Sequence, residues 1–228
     1  MNELKKYKKL TTFLGQVLGE NYEVVLHWKD ENNSFYIAAI ENSVVSGRTI
    51  NSPITDLALK LVQEKVYEEK DYVAHYVAKA KSNHKVKGST YFIKNDKQEL
   101  LGLLCINFDT DRYVKLADNI LALTGLNVDT SNTLLTEEDK TNTIQQDSSI
   151  SIQPEEILHS DVDEIISSSI DPQLLQPGVS MTPETKTKIV QELQDKGVFQ
   201  IKGVMPHVAK IMGISEPSVY RYLRKIND

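Results

Sequence analysis

The sequence has few of the residues that build covalent or metal-centred chemistry. Its 228 residues include one cysteine, Cys105, which excludes an intrachain disulfide and a site built on paired cysteines. No run of about 18 apolar residues occurs, so we expect no membrane span. The lysine-rich first twenty residues lack the apolar core of a secretory signal. We therefore expect a cytoplasmic protein.

Metal ligands and phosphate loops are also missing from the pattern. The five histidines show no metal-ligand spacing with one another or with Cys105. No glycine-rich phosphate loop is present. Cys105 lies in a continuous apolar run, where a cysteine usually acts as a small buried apolar residue. We expect no metal, no cofactor and no enzymatic activity.

Charge is distributed unevenly along the chain. Residues 1–126 are nearly neutral, and residues 127–180 hold eleven acidic residues and one lysine. Residues 181–228 hold eight Lys and Arg against five acidic residues, and two of the four arginines in the chain lie there. This asymmetry favours a nucleic-acid-binding module at the basic end.

The middle part, residues 127–180, is rich in Asn, Thr, Ser and Asp and has little apolar periodicity. Such a stretch buries too little surface to offset its ordering entropy, so it is interpreted as a flexible acidic linker. Within it, a short helix is predicted over 154–169. Its inward side chains would be Ile157, Val162, Ile165 and Ile166.

The first part, residues 1–126, mixes helical and strand periodicities. Three helices are predicted, over 4–18, 53–69 and 111–123. Four strands are predicted, over 23–28, 34–40, 89–94 and 99–109, the first two joined by the turn-forming DENN. This order predicts an α+β domain with an antiparallel sheet and flanking helices.

The third part, residues 181–228, predicts a small all-α helix-turn-helix domain. Thr182 and Pro183 suit the start of a first helix, and Gly197 suits its end. A second short helix begins near Val204. The following turn supplies a small residue, a glycine and two apolar contacts at the expected spacing: Ala209, Gly213, Ile214 and Val219.

The last helix, over 216–226, divides into two faces. At 100° per residue, Tyr222, Leu223 and Ile226 lie with Val219 on the core side. Arginines on the other side can read guanine edges or hold phosphates, although cations at a helix end are also favourable next to its negative pole. The predicted DNA-contacting residues are Ser215, Pro217, Ser218, Tyr220, Arg221, Arg224 and Lys225.

Two families share phrases with this sequence. The stretch GVFQIKGVMPHVAKIMGISEPSVYRYL, residues 197–223, resembles the DauR-type helix-turn-helix. The phrases EVVLH (23–27), SGR (46–48), PITDLAL (53–59) and LLCINFD (103–109) resemble the YheO-like PAS domain. The resemblance implies a bacterial transcriptional regulator with an N-terminal sensory domain. The linker is longer and more polar than this pattern implies.

A ligand site is predicted between the sheet and the helix 53–69, where polar residues lie in or beside apolar elements. Arg48 would hold a carboxylate or phosphate of the ligand. The alternatives are that Thr55, Asp56 and Asp109 cap helices, that Arg48 pairs with one of these acids, and that the domain only dimerises. The predicted residues are His27, Ser46, Arg48, Thr55, Asp56, Asn107 and Asp109.

The expected partners are double-stranded DNA, a small-molecule effector and a second copy of the chain. A homodimer or higher even oligomer is expected because two helix-turn-helix units can span half-sites about one helical turn apart. The phrase SVYRYL also resembles the DNA-binding end of serine recombinases. The first serine is Ser34 and the first arginine is Arg48, so the N-terminal catalytic half of such an enzyme is missing.

Overall fold

The N-terminal part folds into an antiparallel sheet with helices on both faces, as predicted. A computed structural model describes residues 3–79, 85–123, 156–159, 161–175 and 181–227. The helices of this part are α1 (Glu3–Leu18), α2 (Asp56–Gln63), α3 (Val66–Glu69) and α4 (Asp111–Leu123). The strands are β1 (Tyr22–Lys29), β2 (Phe35–Glu41), β3 (Tyr72–Lys79), β4 (Lys85–Lys94) and β5 (Leu100–Asp109).

The strand order is β2-β1-β5-β4-β3, and each of these neighbours is antiparallel. Side chains alternate between the two faces along each strand. On β1, Val24 and Leu26 pack with the α1 side chains Leu4 and Leu14, whereas Val25 faces the core under α2. We call the α2 side the inner face. Strand β5 is also covered on both faces, with Leu103 and Cys105 on the inner face and Leu104 on the α1 side.

Two features of this domain differ from the sequence prediction. The predicted helix 53–69 begins only at Asp56, and it is interrupted at Lys65, whose φ of 53° is left-handed. Strand β3 was not predicted. Its pairing with β4 shifts register between Val73 and Tyr76, so the apolar alternation along it is broken.

The predicted linker is structured where the structure describes it. Glu156–Ile157 form a short strand, β6, which extends the sheet by pairing in parallel with β3. Helix α5 (Val162–Ser169) follows, shorter than the predicted 154–169, because Asp161 accepts a hydrogen bond from the Asp163 amide and caps its start. Ile165 and Ile166 are buried as predicted. Residues 127–155 lie outside the described part.

The C-terminal part is all-helical, as predicted. Its helices are α6 (Pro183–Asp195), α7 (Val204–Met212) and α8 (Glu216–Asn227). Thr182 caps α6 by accepting a hydrogen bond from the Thr185 amide, and Gly197 adopts a left-handed φ of 70° after the helix ends. A 3-10 turn, Val198–Gln200, leads towards α7.

The two domains pack against each other. A parallel bridge joins Phe35 of β2 to Ile201, and the Lys202 amide donates to the Phe35 carbonyl oxygen at 3.1 Å. Gln63 of α2 donates from Nε2 to the Gln194 carbonyl oxygen at 3.3 Å. One apolar cluster runs from the inner face of the sheet into the C-terminal helices. The described helices include none with the length and apolar character needed to cross a membrane.

Candidate functional site

The turn between α7 and α8 has the geometry that a helix-turn-helix requires. Gly213 ends α7 with a left-handed φ of 61°, a conformation that costs an L-residue roughly 1–2 kcal/mol. The Ile214 amide donates to the Ala209 carbonyl oxygen at 3.0 Å and closes the turn. Val219 and Val208 are fully buried behind it. The apolar contacts therefore fix the direction in which α8 leaves the turn.

The two predicted faces of α8 are present. Val219 is buried, and Tyr222, Leu223 and Ile226 are partly buried against the core. Ser218 is half-buried and accepts a hydrogen bond from Arg221 Nη2 at 3.3 Å, while its Oγ also lies 3.0 Å from that of Ser215. The other predicted DNA-contacting residues are exposed: Ser215, Pro217, Tyr220, Arg221, Arg224 and Lys225.

A second candidate site lies on the inner face of the sheet, where one row of residues crosses four strands. Glu23 of β1 lies opposite Asn107 of β5, which lies opposite Gly88 of β4, and Gly88 lies opposite Tyr76 of β3. Glu23 and Asn107 are buried and polar, in a face that is otherwise mainly apolar. Burial of such groups is costly unless they are hydrogen-bonded.

Glu23 and Asn107 form a buried polar cluster with His27, Ser46 and Arg48, and hydrogen bonds connect most of it. Asn107 donates from Nδ2 to Glu23 Oε1 at 2.9 Å, and Ser46 donates from Oγ to Glu23 Oε2. Arg48 is 2% exposed and donates from Nη2 to the Pro53 carbonyl oxygen at 2.6 Å. The cluster thus links two strands of the sheet to the segment that leads into α2.

The cluster combines a buried arginine with two groups whose pKa is shifted by burial. Burial raises the pKa of the Glu23 carboxyl, and the charge of Arg48 and the hydrogen bonds from Ser46 and Asn107 offset only part of that rise. Burial, and then the charge of Arg48, hold the pKa of His27 well below its usual range. His27 is therefore a neutral imidazole at physiological pH.

Three buried polar atoms of the cluster have no hydrogen-bond partner among the described residues. They are His27 Nδ1, Arg48 Nε and Asn107 Oδ1. Buried polar atoms in folded proteins are nearly always paired, with protein, water or ligand. These three atoms are an arginine donor, an amide acceptor and an imidazole nitrogen, so the inner face holds unsatisfied polar groups.

The predicted ligand residues divide into two groups. His27, Ser46, Arg48 and Asn107 belong to the buried cluster. Of the other three, Thr55 and Asp109 cap helices, which was their alternative interpretation, whereas Asp56 contacts a distant histidine instead of capping a helix. Thr55 accepts from the Ala58 amide at the start of α2, Asp109 accepts from the Asp111 amide at the start of α4, and Asp56 pairs with His159 at 3.1 Å.

Sequence reasoning missed two side chains of this face. From sequence, Glu23 is predicted in a strand and belongs to the phrase EVVLH, but it is not among the predicted site residues, because a glutamate at a strand start is normally exposed. Tyr76 lies on the unpredicted β3, and its hydroxyl is 2.8 Å from Thr90 Oγ1, which is in turn 3.3 Å from Cys105 Sγ. The available signal for Glu23 was its position on the strand. Because side chains alternate between faces, Glu23 lies on the same face as His27, opposite to Val24 and Leu26.

Comparison with known proteins identifies both domains. The profile of the YheO-like PAS domain family matches residues 1–125, and an HTH domain profile matches residues 165–224, beginning inside the predicted linker. Protein YheO of Escherichia coli (strain K12) is 28% identical over 225 residues, covering 97% of this chain and 84% of its own length. A protein of Haemophilus influenzae is 28% identical over 224 residues, covering 98% of this chain and 90% of its own length.

Proposed function

This chain belongs to the YheO-like PAS domain family and carries an HTH domain, and from that premise we propose that it regulates transcription by binding duplex DNA through α8. The observation that carries the proposal is the division of α8. Its apolar side is held in the core by Val219, and its outer side presents Arg221, Arg224 and Lys225 to solvent. A protein that reads genomic DNA in a bacterium works in the cytoplasm.

The chemistry of that outer side suits a major groove. Arginine can donate two hydrogen bonds to one guanine, and lysine or arginine can neutralise phosphates. Tyr220 is 57% exposed between the cations and can pack against sugar or a thymine methyl group. The fixed turn at Gly213 holds this face in one orientation, as sequence-specific reading requires.

Selection of bound fragments from a random duplex pool tests this assignment. We expect wild type to enrich one motif, with an affinity that falls steeply as salt rises because displaced counterions are released. Arg221→Ala should weaken the enriched site by roughly 1–3 kcal/mol. Arg112→Ala is the matched control, since Arg112 is an exposed arginine outside the HTH domain. A wild type that enriches nothing, or equal losses in the two variants, would refute the assignment.

The N-terminal domain is proposed to sense a small molecule on its inner face. Support comes from the three buried polar atoms without partners, around the cation of Arg48. A carboxylate or phosphate group would satisfy Arg48 Nε, and a donor on the same molecule would satisfy Asn107 Oδ1. The competing function is a dimerisation scaffold in which this cluster is purely structural.

Thermal unfolding with a panel of small carboxylates and phosphates separates these two functions. A compound at a hundredfold excess over its dissociation constant should stabilise the protein by about 2.7 kcal/mol. Arg48→Gln should remove that stabilisation while DNA binding in the absence of the compound persists. A panel that stabilises neither wild type nor Arg48→Gln supports the scaffold instead.

A homodimer is proposed, with the N-terminal domain as its interface. Exposed apolar side chains form a stripe on one side of α1: Leu10, Phe13 and Val17, at 36%, 60% and 63% exposure. Helix α4 has a similar stripe: Tyr113, Leu116, Ile120 and Leu123. Such contiguous exposed apolar surface is typical of protein interfaces.

Light scattering should give twice the chain mass, and Phe13→Ser combined with Leu116→Ser should shift it towards the monomer. A wild-type monomer with and without DNA would refute this.

A further inference from the structure

An open groove of about 410 Å³ lies where the two domains meet, apart from the buried cluster. One wall is the outer strand β2, from Phe35 to Ala38, and another is the turn 50–53. The C-terminal part closes it with Ile201 and Lys202, and Val162 of α5 adds a further side. A volume of this size is in the range of small-molecule sites, which often lie between domains.

The charged side chains that line the groove are lysines. Its lining includes Lys8 of α1 and Lys202, and no acidic side chain. Lys8 makes no ion pair with any described residue, so its charge is available to a ligand. Lys202 is held in place, with Nζ 3.4 Å from the Asp30 carboxylate and 4.8 Å from the centre of the Tyr36 ring. The remaining lining is mainly apolar.

Residues that line the groove also contact the buried cluster and lead into the helix-turn-helix. Its wall residue Pro53 is the acceptor for the buried Arg48 guanidinium. Its other side, Ile201–Lys202, directly precedes Gly203 and helix α7, and the Lys202 amide bonds to the Phe35 carbonyl oxygen. An occupant would therefore contact the sensory domain and the DNA-binding domain at the same time.

We propose that this groove binds a small organic anion with an apolar body, and that the bound anion holds the two domains together. The lysines would contact the carboxylate or sulfonate of the ligand, and Ile50, Pro53 and Val162 would cover its rings or chain. This site goes beyond the proposed function, because it uses neither Arg48 as a ligand contact nor the face of α8.

The test uses two fluorescent probes with the full chain. 8-Anilinonaphthalene-1-sulfonate carries an anionic group, and N-phenyl-1-naphthylamine has the same ring system without it. We expect the sulfonate to bind saturably and the neutral probe to bind about tenfold more weakly. Lys8→Met and Lys202→Met should each weaken the sulfonate about threefold, the range of an exposed ion pair. Lys9→Met is the matched control, since Lys9 is the next residue of α1 and does not line the groove.

Hydrogen exchange locates the probe independently. Peptides covering residues 35–38 and 198–204 should exchange more slowly with the sulfonate bound, because the Lys202–Phe35 hydrogen bond opens less often. Equal affinity of the two probes, equal loss in Lys8→Met and Lys9→Met, or the absence of saturable sulfonate binding would each overturn the proposal. None of these readouts involves DNA or Arg48, so the proposed function is tested separately.

Discussion

The ring of Tyr76 lies directly on Gly88, so closely that a methyl group on Gly88 would be 2.1 Å from Tyr76 Cε2. The Tyr76 hydroxyl is also anchored to Thr90, so the ring cannot swing away without losing that hydrogen bond. We predict that Gly88→Ala costs about 1–3 kcal/mol of unfolding free energy, as is usual for overpacking. Urea unfolding of wild type, Gly88→Ala, Tyr76→Ala and the double variant measures this. The alanine should cost much less when Tyr76 is already removed; equal costs in both backgrounds would contradict the contact.

Protonation of Glu23 should make stability depend on pH. Because its pKa is raised in the folded protein, the folded state holds the proton more tightly than the unfolded chain does. Wild type should therefore lose stability as pH rises from below about 4.3, the usual glutamate pKa, through the raised value. We predict that the Glu23→Gln variant, which keeps the shape of the side chain, becomes more stable relative to wild type as the pH rises over that interval. Urea midpoints from pH 4 to 7 check this, with the exposed Glu31→Gln as the control. Parallel curves for wild type and Glu23→Gln would show that no raised pKa exists.

Contact between the domains can be measured with two glycines. A side chain on Gly197 would meet Gln63 of α2 at 2.7 Å, whereas one on Gly203 would meet nothing within 4 Å. Both glycines have positive φ, so each alanine should cost about 1–2 kcal/mol for the backbone alone. We predict an additional cost for Gly197→Ala that disappears in a Gln63→Ala background. Gly203→Ala should show no such coupling to Gln63. If Gly197→Ala shows none either, the domains do not pack this way in solution.

Neighbouring residues of α8 should have opposite roles. Val219 is fully buried and Tyr220 is 57% exposed. We predict that Val219→Ala costs about 2 kcal/mol of stability through lost apolar burial and a small cavity. Tyr220→Ala should change stability by less than about 0.5 kcal/mol but weaken operator binding. Thermal unfolding and DNA titration on the same two variants distinguish these effects. If Val219→Ala weakened DNA binding without a loss of stability, and Tyr220→Ala lowered stability instead, the assignment of the two faces of α8 would be wrong.

The C-terminal domain could be predicted closely because its signals are local. Thr182, Gly197, Gly213 and Val219 each act within a few residues, through caps, a left-handed turn and helical periodicity. The buried cluster could be predicted only in part. Its central hydrogen bond joins Glu23 to Asn107, 84 residues apart, and depends on strand pairing that no local pattern encodes. Strand β3 escaped prediction for a related reason, since its bulge is imposed by the pairing with β4.

The pairing of β6 with β3 restricts where α8, the proposed DNA-binding helix, can move. Only four residues separate Ile157 at the sheet edge from Val162 at the start of α5, a span of about 17 Å when fully extended. A hydrogen bond between His207 and Asp163 and an ion pair between Lys210 and Asp163 then join α5 to α7. In each copy a short connection thus holds the proposed DNA-binding helix close to the sheet. In the proposed dimer, the position of the two sheets therefore sets the distance between the two copies of α8. Shifting one half-site by about five base pairs turns it to the opposite side of the duplex, where an α8 held close to its sheet cannot reach it. The operators of this protein should therefore tolerate changes of base more readily than changes of phase.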